Sequence, residues 1–171
     1  MKRSIFICSI IISFLLCSFS FADEYDDWQQ KLNIPIWIRN AFQKNALNKK
    51  YGYMFRINPM YLRGDFNGDN KPDVAILVKE KLSKKLGIIV IHFGGDDYFV
   101  LGAGETIGNG GDNFQWMSNW AVKRKGEVGQ GADDKPLPHL KAESIFIEKA
   151  ESASGIIHWN GTTYSWYQQG D

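Results

Sequence analysis

The polar and apolar positions of this chain change period several times, and each change marks an element. Ile5 to Leu16 is an almost unbroken apolar run. From Asp23 the spacing becomes helical, with Trp28 and Leu32 four apart on one face. Pro35 disfavours helix at Ile34 and can open a new helix itself. Ile34, Ile38 and Phe42, with Trp37 and Ala41, then form a second apolar stripe at helical spacing. From Tyr51 the period is two, with Tyr53, Phe55 and Ile57 alternating with Met54 and Arg56 until Pro59. Val74 to Val78 is apolar at every position, the pattern of a strand covered on both faces, and Gly87 to Phe93 is similar, interrupted only by His92. Gly94-Gly95-Asp96-Asp97 reads as a turn, and Tyr98 to Leu101 as the returning strand.

Gly102 to Asn113 carries five glycines and reads as a long, permissive loop. Phe114, Trp116 and Trp120 restore apolar character after it. Residues Gly126 to His139 are polar and rich in Gly and Pro, and Ala142 to Glu148 returns as a strand. Asn160-Gly161 predicts a two-residue hairpin turn. That turn pairs Trp159 with Thr162 and Ile157 with Tyr164, placing Ile157, Trp159, Tyr164 and Trp166 on one buried face. His158, Thr163 and Ser165 fall on a more polar face. The short links between strands predict an antiparallel meander. The fold class expected is α+β: N-terminal helical segments packed on a mainly antiparallel sheet.

The apolar run at the start has the form of a secretory signal. Lys2 and Arg3 precede it, and Ser20-Phe21-Ala22 offers small residues for cleavage before Asp23. The organisation expected is a signal peptide over 1–22 and one domain over 23–171, in the periplasm or outside the cell, with no stable membrane anchor after cleavage. Cys8 and Cys17 leave with the signal, so the remaining chain has no disulfide and no thiolate chemistry. Cleavage removes two bases and no acid, which takes the formal charge from +1 to −1. No basic block in the sequence points to nucleic acid or anionic lipid.

Chemistry concentrates between Gly64 and Asp73, which reads Gly-Asp-Phe-Asn-Gly-Asp-Asn-Lys-Pro-Asp. Asp65, Asn67, Asp69 and Asp73 place oxygen-bearing side chains at relative positions 1, 3, 5 and 9. The main-chain carbonyl of Lys71 can join them, and hard cations such as Ca²⁺ take oxygen ligands at this spacing. Gly68 relieves the backbone. Asn70 stands where such loops usually carry Gly, and Asn is the next residue best able to adopt a left-handed conformation. The EF-hand pattern fits only in its first half, because position 12 is Ile76 and the flanks read as strands.

The stretch Gly64 to Val78 resembles the calcium loop of FG-GAP or VCBS-type repeats. Only one copy is present, which is too few for the propellers those repeats build. The chain also resembles small secreted bacterial proteins that join such a loop to a Trp-x-Gly-x-x-Tyr hairpin, here Trp159, Gly161 and Tyr164. The resemblance implies secretion and a Ca²⁺ cofactor, and it carries no catalytic residues.

Other constellations are weaker. His92, His139 and His158 lack metal spacing on a helix. His92 or His158 could pair with Asp96 or Asp112 as acid and base, and Asp112 with His92 is the pair singled out for a small calcium-dependent hydrolase. The glycine-rich stretch lacks the Gly-Lys-Ser/Thr of a phosphate loop. Asn109, Asp112, Trp116 and Trp120 are the candidate partner-binding residues, on or beside a loop able to present them. The expectation is a non-enzymatic, calcium-binding interaction module. A protein partner comes first, as for an inhibitor or immunity-type binder, and a cell-wall saccharide second. A structural envelope protein stabilised by calcium is the third reading.

Overall fold

The computed structural model describes residues 34–126, 128–132 and 135–170. The expected signal peptide, both cysteines and the expected first helical segment lie outside the described residues. The chain from Trp37 to Asp171 forms one unit distinct from the residues before it, and both sheets belong to it.

Among the described residues, nine strands form two antiparallel sheets. The first sheet contains β1 (Tyr51–Tyr53), β2 (Tyr61–Gly64), β3 (Asp73–Glu80), β4 (Leu86–Ile91) and β5 (Tyr98–Gly102). Strand β3 is central. It pairs with β4 along one edge and with β1 and β2 in succession along the other. Its apolar run therefore has neighbours on both edges, and Val74 to Val78 are all buried. The second sheet is a meander of β6 (Asn119–Lys123), β7 (Ser144–Glu148), β8 (Ser154–Trp159) and β9 (Tyr164–Gly170).

One core joins the two sheets. Leu62, Ala75, Leu77, Ile88, Val90 and Leu101 from the first pack in the same cluster as Trp120, Ile145, Ile147, Ile157 and Tyr164 from the second. Ala75 pairs with Val90 and Leu77 with Ile88, so these residues share one face of the first sheet. Their neighbours Val74, Ile76, Val78, Ile89 and Ile91 point the other way and are buried too. Helix α1 (Ile36–Lys44) buries Ile38, Ala41 and Phe42. Phe42 meets Tyr53 of β1 at 4.6 Å between ring centres. The outer face of the second sheet has its own small cluster, in which Val128 and Leu140 pack with Ile156 and Tyr167.

This architecture corrects the expected α+β fold. The chain is mostly β, with two sheets rather than one. The only helix longer than a turn among the described residues is α1, since α2 (Leu47–Lys50) has four residues. Three strands of the second sheet were expected, but β6 was not, because Trp120 is its one fully buried residue, too short an alternation to stand out beside Lys123 and Arg124. The predicted strand from Tyr51 to Ile57 also ends early, at Tyr53.

The C-terminal hairpin differs from its predicted register by two residues. Trp159 pairs with Tyr164 and Ile157 with Trp166. The turn holds four residues, because Asn160 caps it from within: its Oδ1 accepts the N–H groups of Thr162 and Thr163, both at 3.0 Å. A shift of two preserves the face of every side chain. Ile157, Trp159, Tyr164 and Trp166 therefore still share the face that meets the core. The opposite face is less polar than expected, since it carries Ile156 and Tyr167.

Candidate metal centre

The acidic loop is the connection of the β2–β3 hairpin, whose last pair is Gly64 with Asp73. The residues between them have no strand partner, and their amides need other acceptors. The polar side chains of the loop supply these. Asp65 accepts Gly68 N–H on Oδ1 at 2.8 Å and Asn70 N–H on Oδ2 at 3.1 Å. Asn67 Oδ1 accepts Asp69 N–H at 3.0 Å, and Asp69 Oδ1 accepts Lys71 N–H at 2.8 Å. Such local bonds are the means by which Asp and Asn shape turns. Asn70 takes a φ of 64°, the left-handed conformation expected of it.

Asp73 is different. It is fully buried, and its carboxylate ties three segments together. Oδ2 accepts Phe66 N–H at 2.9 Å and Asn67 N–H at 3.2 Å, and Oδ1 accepts Phe93 N–H at 2.9 Å. Burial pushes the Asp73 carboxyl above the usual carboxylate range, and the charge of Asp69 adds to this. The Phe93 and Phe66 amides and His92 oppose the rise without cancelling it. A buried carboxylate held by amides alone is a group that a nearby cation would stabilise.

Glu143, distant in sequence, completes the surroundings. Its Oε2 accepts Asp65 N–H at 2.8 Å, and its own N–H donates to the Asp65 carbonyl at 2.9 Å. Nothing in the linear pattern pointed to it, because its place depends on how the second sheet meets the loop. Lys71 is exposed and pairs loosely with Asp69 at 3.8 Å.

The donor set suits a hard divalent cation, being composed of carboxylate and amide oxygens. Each oxygen that accepts one N–H keeps a second lone pair. The side chains are turned toward loop amides. Among the described residues, no three His, Cys, Asp or Glu side chains come together as a metal-binding group.

Behind the loop lies an aromatic cluster around the buried His92 and Tyr164. His92 Nε2 and the Tyr164 hydroxyl are 2.9 Å apart, and the rings of Phe99 and Trp159 sit 5.0 and 5.2 Å from the His92 ring. Burial, with Asp73 and Asp65 nearby, pushes the Tyr164 hydroxyl well above its ordinary range. The acid/base pairings considered for His92 are not assembled. Asp112 pairs with Lys85, Asp96 with Lys44, and His92 with Tyr164.

The four candidate partner-binding residues separate. Trp120 is a core residue, 1% exposed, and its Nε1 donates to the Pro59 carbonyl at 2.8 Å. Asp112 is held by Lys85. Asn109 and Trp116 do converge, in a shallow groove they share with Lys149, Ser152, Trp166 and Gln168. Trp116 meets Trp166 edge-on at 6.3 Å.

Trp166 also explains three glycines. A methyl group on Gly108 or Gly110 would come within 2.6 or 2.8 Å of its side chain, and one on Gly155 within 2.1 Å. The indole lies where no side chain fits, so these glycines serve close packing rather than loop mobility.

No protein-family model, curated protein or solved structure matches this chain.

Proposed function

We propose that this chain is a secreted or periplasmic, non-enzymatic interaction module whose β2–β3 loop binds calcium, with a single FG-GAP or VCBS-like loop as its metal site. The observation that carries the reading is the buried Asp73 carboxylate beneath a turn built from Asp65, Asn67 and Asp69. Asp65, Asn67, Asp69 and Asp73 would hold the ion, with the Lys71 carbonyl as the main-chain ligand. The ion supplies positive charge to a carboxylate that otherwise has only amides, and so stabilises the loop and its link to β4. Glu143 braces the loop from the second sheet by its two bonds to Asp65. The site's role is structural support for a surface that meets a protein partner.

The groove between Trp116 and Trp166 favours a second reading of the partner. Indole surface beside amide, hydroxyl and ammonium groups suits the apolar faces and hydroxyls of a saccharide.

Thermal melting with calcium and with chelator tests the metal assignment, for wild type and Asp69→Ala. Calcium at millimolar concentration is expected to raise the wild-type Tm by several degrees, on the order of 1–2 kcal/mol. Asp69→Ala should abolish the shift. Identical melting in all four conditions would remove calcium from the proposal.

A further inference from the structure

The turn between β3 and β4 presents an apolar tip inside a ring of lysines. Leu82 is 91% exposed, the highest exposure among the large apolar residues described. Lys81, Ser83 and Lys84 around it are exposed as well. Two more lysines arrive from another part of the chain. The pairing of Tyr51 with Glu80 and Gly52 with Lys79 sets Lys49 and Lys50 beside this turn, and Lys81 N–H donates to the Lys50 carbonyl at 2.9 Å. The sequence contains no long basic block, and strand pairing builds one.

Much of this charge is unopposed. Lys50 faces Glu105 at 3.9 Å, and Lys85 pairs with Asp112. Among the described residues, Lys49, Lys79, Lys81 and Lys84 make no ion pair. The remaining acid of the turn, Glu80, is buried and directs its carboxylate to the Ser83 N–H. The tip is also held in shape. Lys84 N–H donates to the Glu80 carbonyl at 3.0 Å, and Lys81 Nζ reaches the Asn48 carbonyl at 2.6 Å.

We propose that this turn docks the protein on an anionic lipid surface, with Leu82 entering the headgroup boundary and Lys49, Lys79, Lys81 and Lys84 facing lipid phosphates. A lone leucine at the end of a convex turn suits a bilayer, which accepts an apolar tip without a matching pocket. A protein partner would need a cavity shaped to receive it. Lysines around the leucine add electrostatic attraction to an anionic leaflet. The docking is peripheral and reversible, since one apolar side chain and a few lysines give only modest affinity. No helix among the described residues is long and apolar enough to cross a membrane. This surface is separate from the calcium loop, and its test does not depend on calcium.

The test is co-sedimentation of the exported form of the chain with vesicles. One set is phosphatidylcholine alone, and the other contains about one third phosphatidylglycerol. Binding is expected only to the anionic vesicles, and it should fall steeply as salt rises. The double variant Lys81→Gln/Lys84→Asn should weaken partitioning by roughly tenfold or more, at about fivefold per lysine. Asn at position 84 suits the φ of 63° found there. Leu82→Ser should weaken partitioning by roughly fivefold while leaving binding to soluble polyglutamate unchanged. All three positions are exposed, and circular dichroism would verify that the variants fold. Equal binding to neutral vesicles, or wild-type binding by both variants, would overturn the proposal. Loss in the lysine variant alone would overturn the lipid assignment in favour of a general polyanion site.

Discussion

The acidic loop and the glycine-rich loop are both long connections in the first half of the β framework, and opposite forces shape them. The acidic loop is organised largely by its own side chains. Asp65, Asn67 and Asp69 each accept an amide two to five residues ahead. Two glycines of the glycine-rich loop answer to a residue far along the chain. Gly108 and Gly110 lack side chains because Trp166 of β9 lies against them. Local bonds leave a spacing that can be read in sequence, whereas the demand of a distant side chain leaves only unexplained glycines. A glycine-rich stretch is therefore ambiguous between mobility and tight packing until its neighbours are known.

The largest effect is expected where the acidic loop depends on one buried group. Asp73→Ala leaves three amides without their acceptor and should cost at least about 3 kcal/mol, measured by denaturant unfolding. A loss under about 1 kcal/mol would show that the loop holds its shape without Asp73. Next comes Gly155→Ala, which places a methyl group within 2.1 Å of the Trp166 ring. The expected cost is about 1–3 kcal/mol from overpacking. Amide chemical shifts should move at Gly108 and Gly110 as well as in β8. Shifts confined to β8 and β9 would break the claim that Trp166 organises the distant loop.

The smallest expected effect is a pH dependence in the acidic loop. With calcium removed, the raised pKa of Asp73 means that the folded state keeps a proton the unfolded chain has already lost. Stability contributed by this group should therefore fall as pH rises from about 4 through the folded pKa. Calcium prefers deprotonated ligands, so the gain in Tm on adding it should grow across the same window. A calcium gain that stays flat there would separate Asp73 from the proposed ion site.

The legibility of the rest of the molecule follows the same division. The stripe of Ile38, Ala41 and Phe42 became the buried side of α1, because helical periodicity is a local property. Val74 to Val78 became the central strand for the same reason. The hairpin face came through despite a register error, since an even shift leaves parity intact. What stayed hidden was set by pairings between remote segments. Examples are the clasp of Glu143 on Asp65, the place of Trp120 in the core and the gathering of Lys49 beside Lys81. Trp120 in particular looked available to a partner because it follows the glycine-rich loop, yet its indole N–H is bound to Pro59 inside the fold.

Strand β3 has a consequence beyond its part in the core. The acidic loop leads into it at Asp73, and the lysine turn leaves it after Glu80. An extended strand of this length spans about 23 Å at roughly 3.3 Å per residue. That distance is nearly three times the screening length of about 8 Å at physiological ionic strength. Two positive charges arriving at the acidic end would be almost unfelt through solvent by the basic end. The molecule thus carries opposite charges on a rigid spacer, electrically independent of each other, and an occupant at one pole leaves the other free to act.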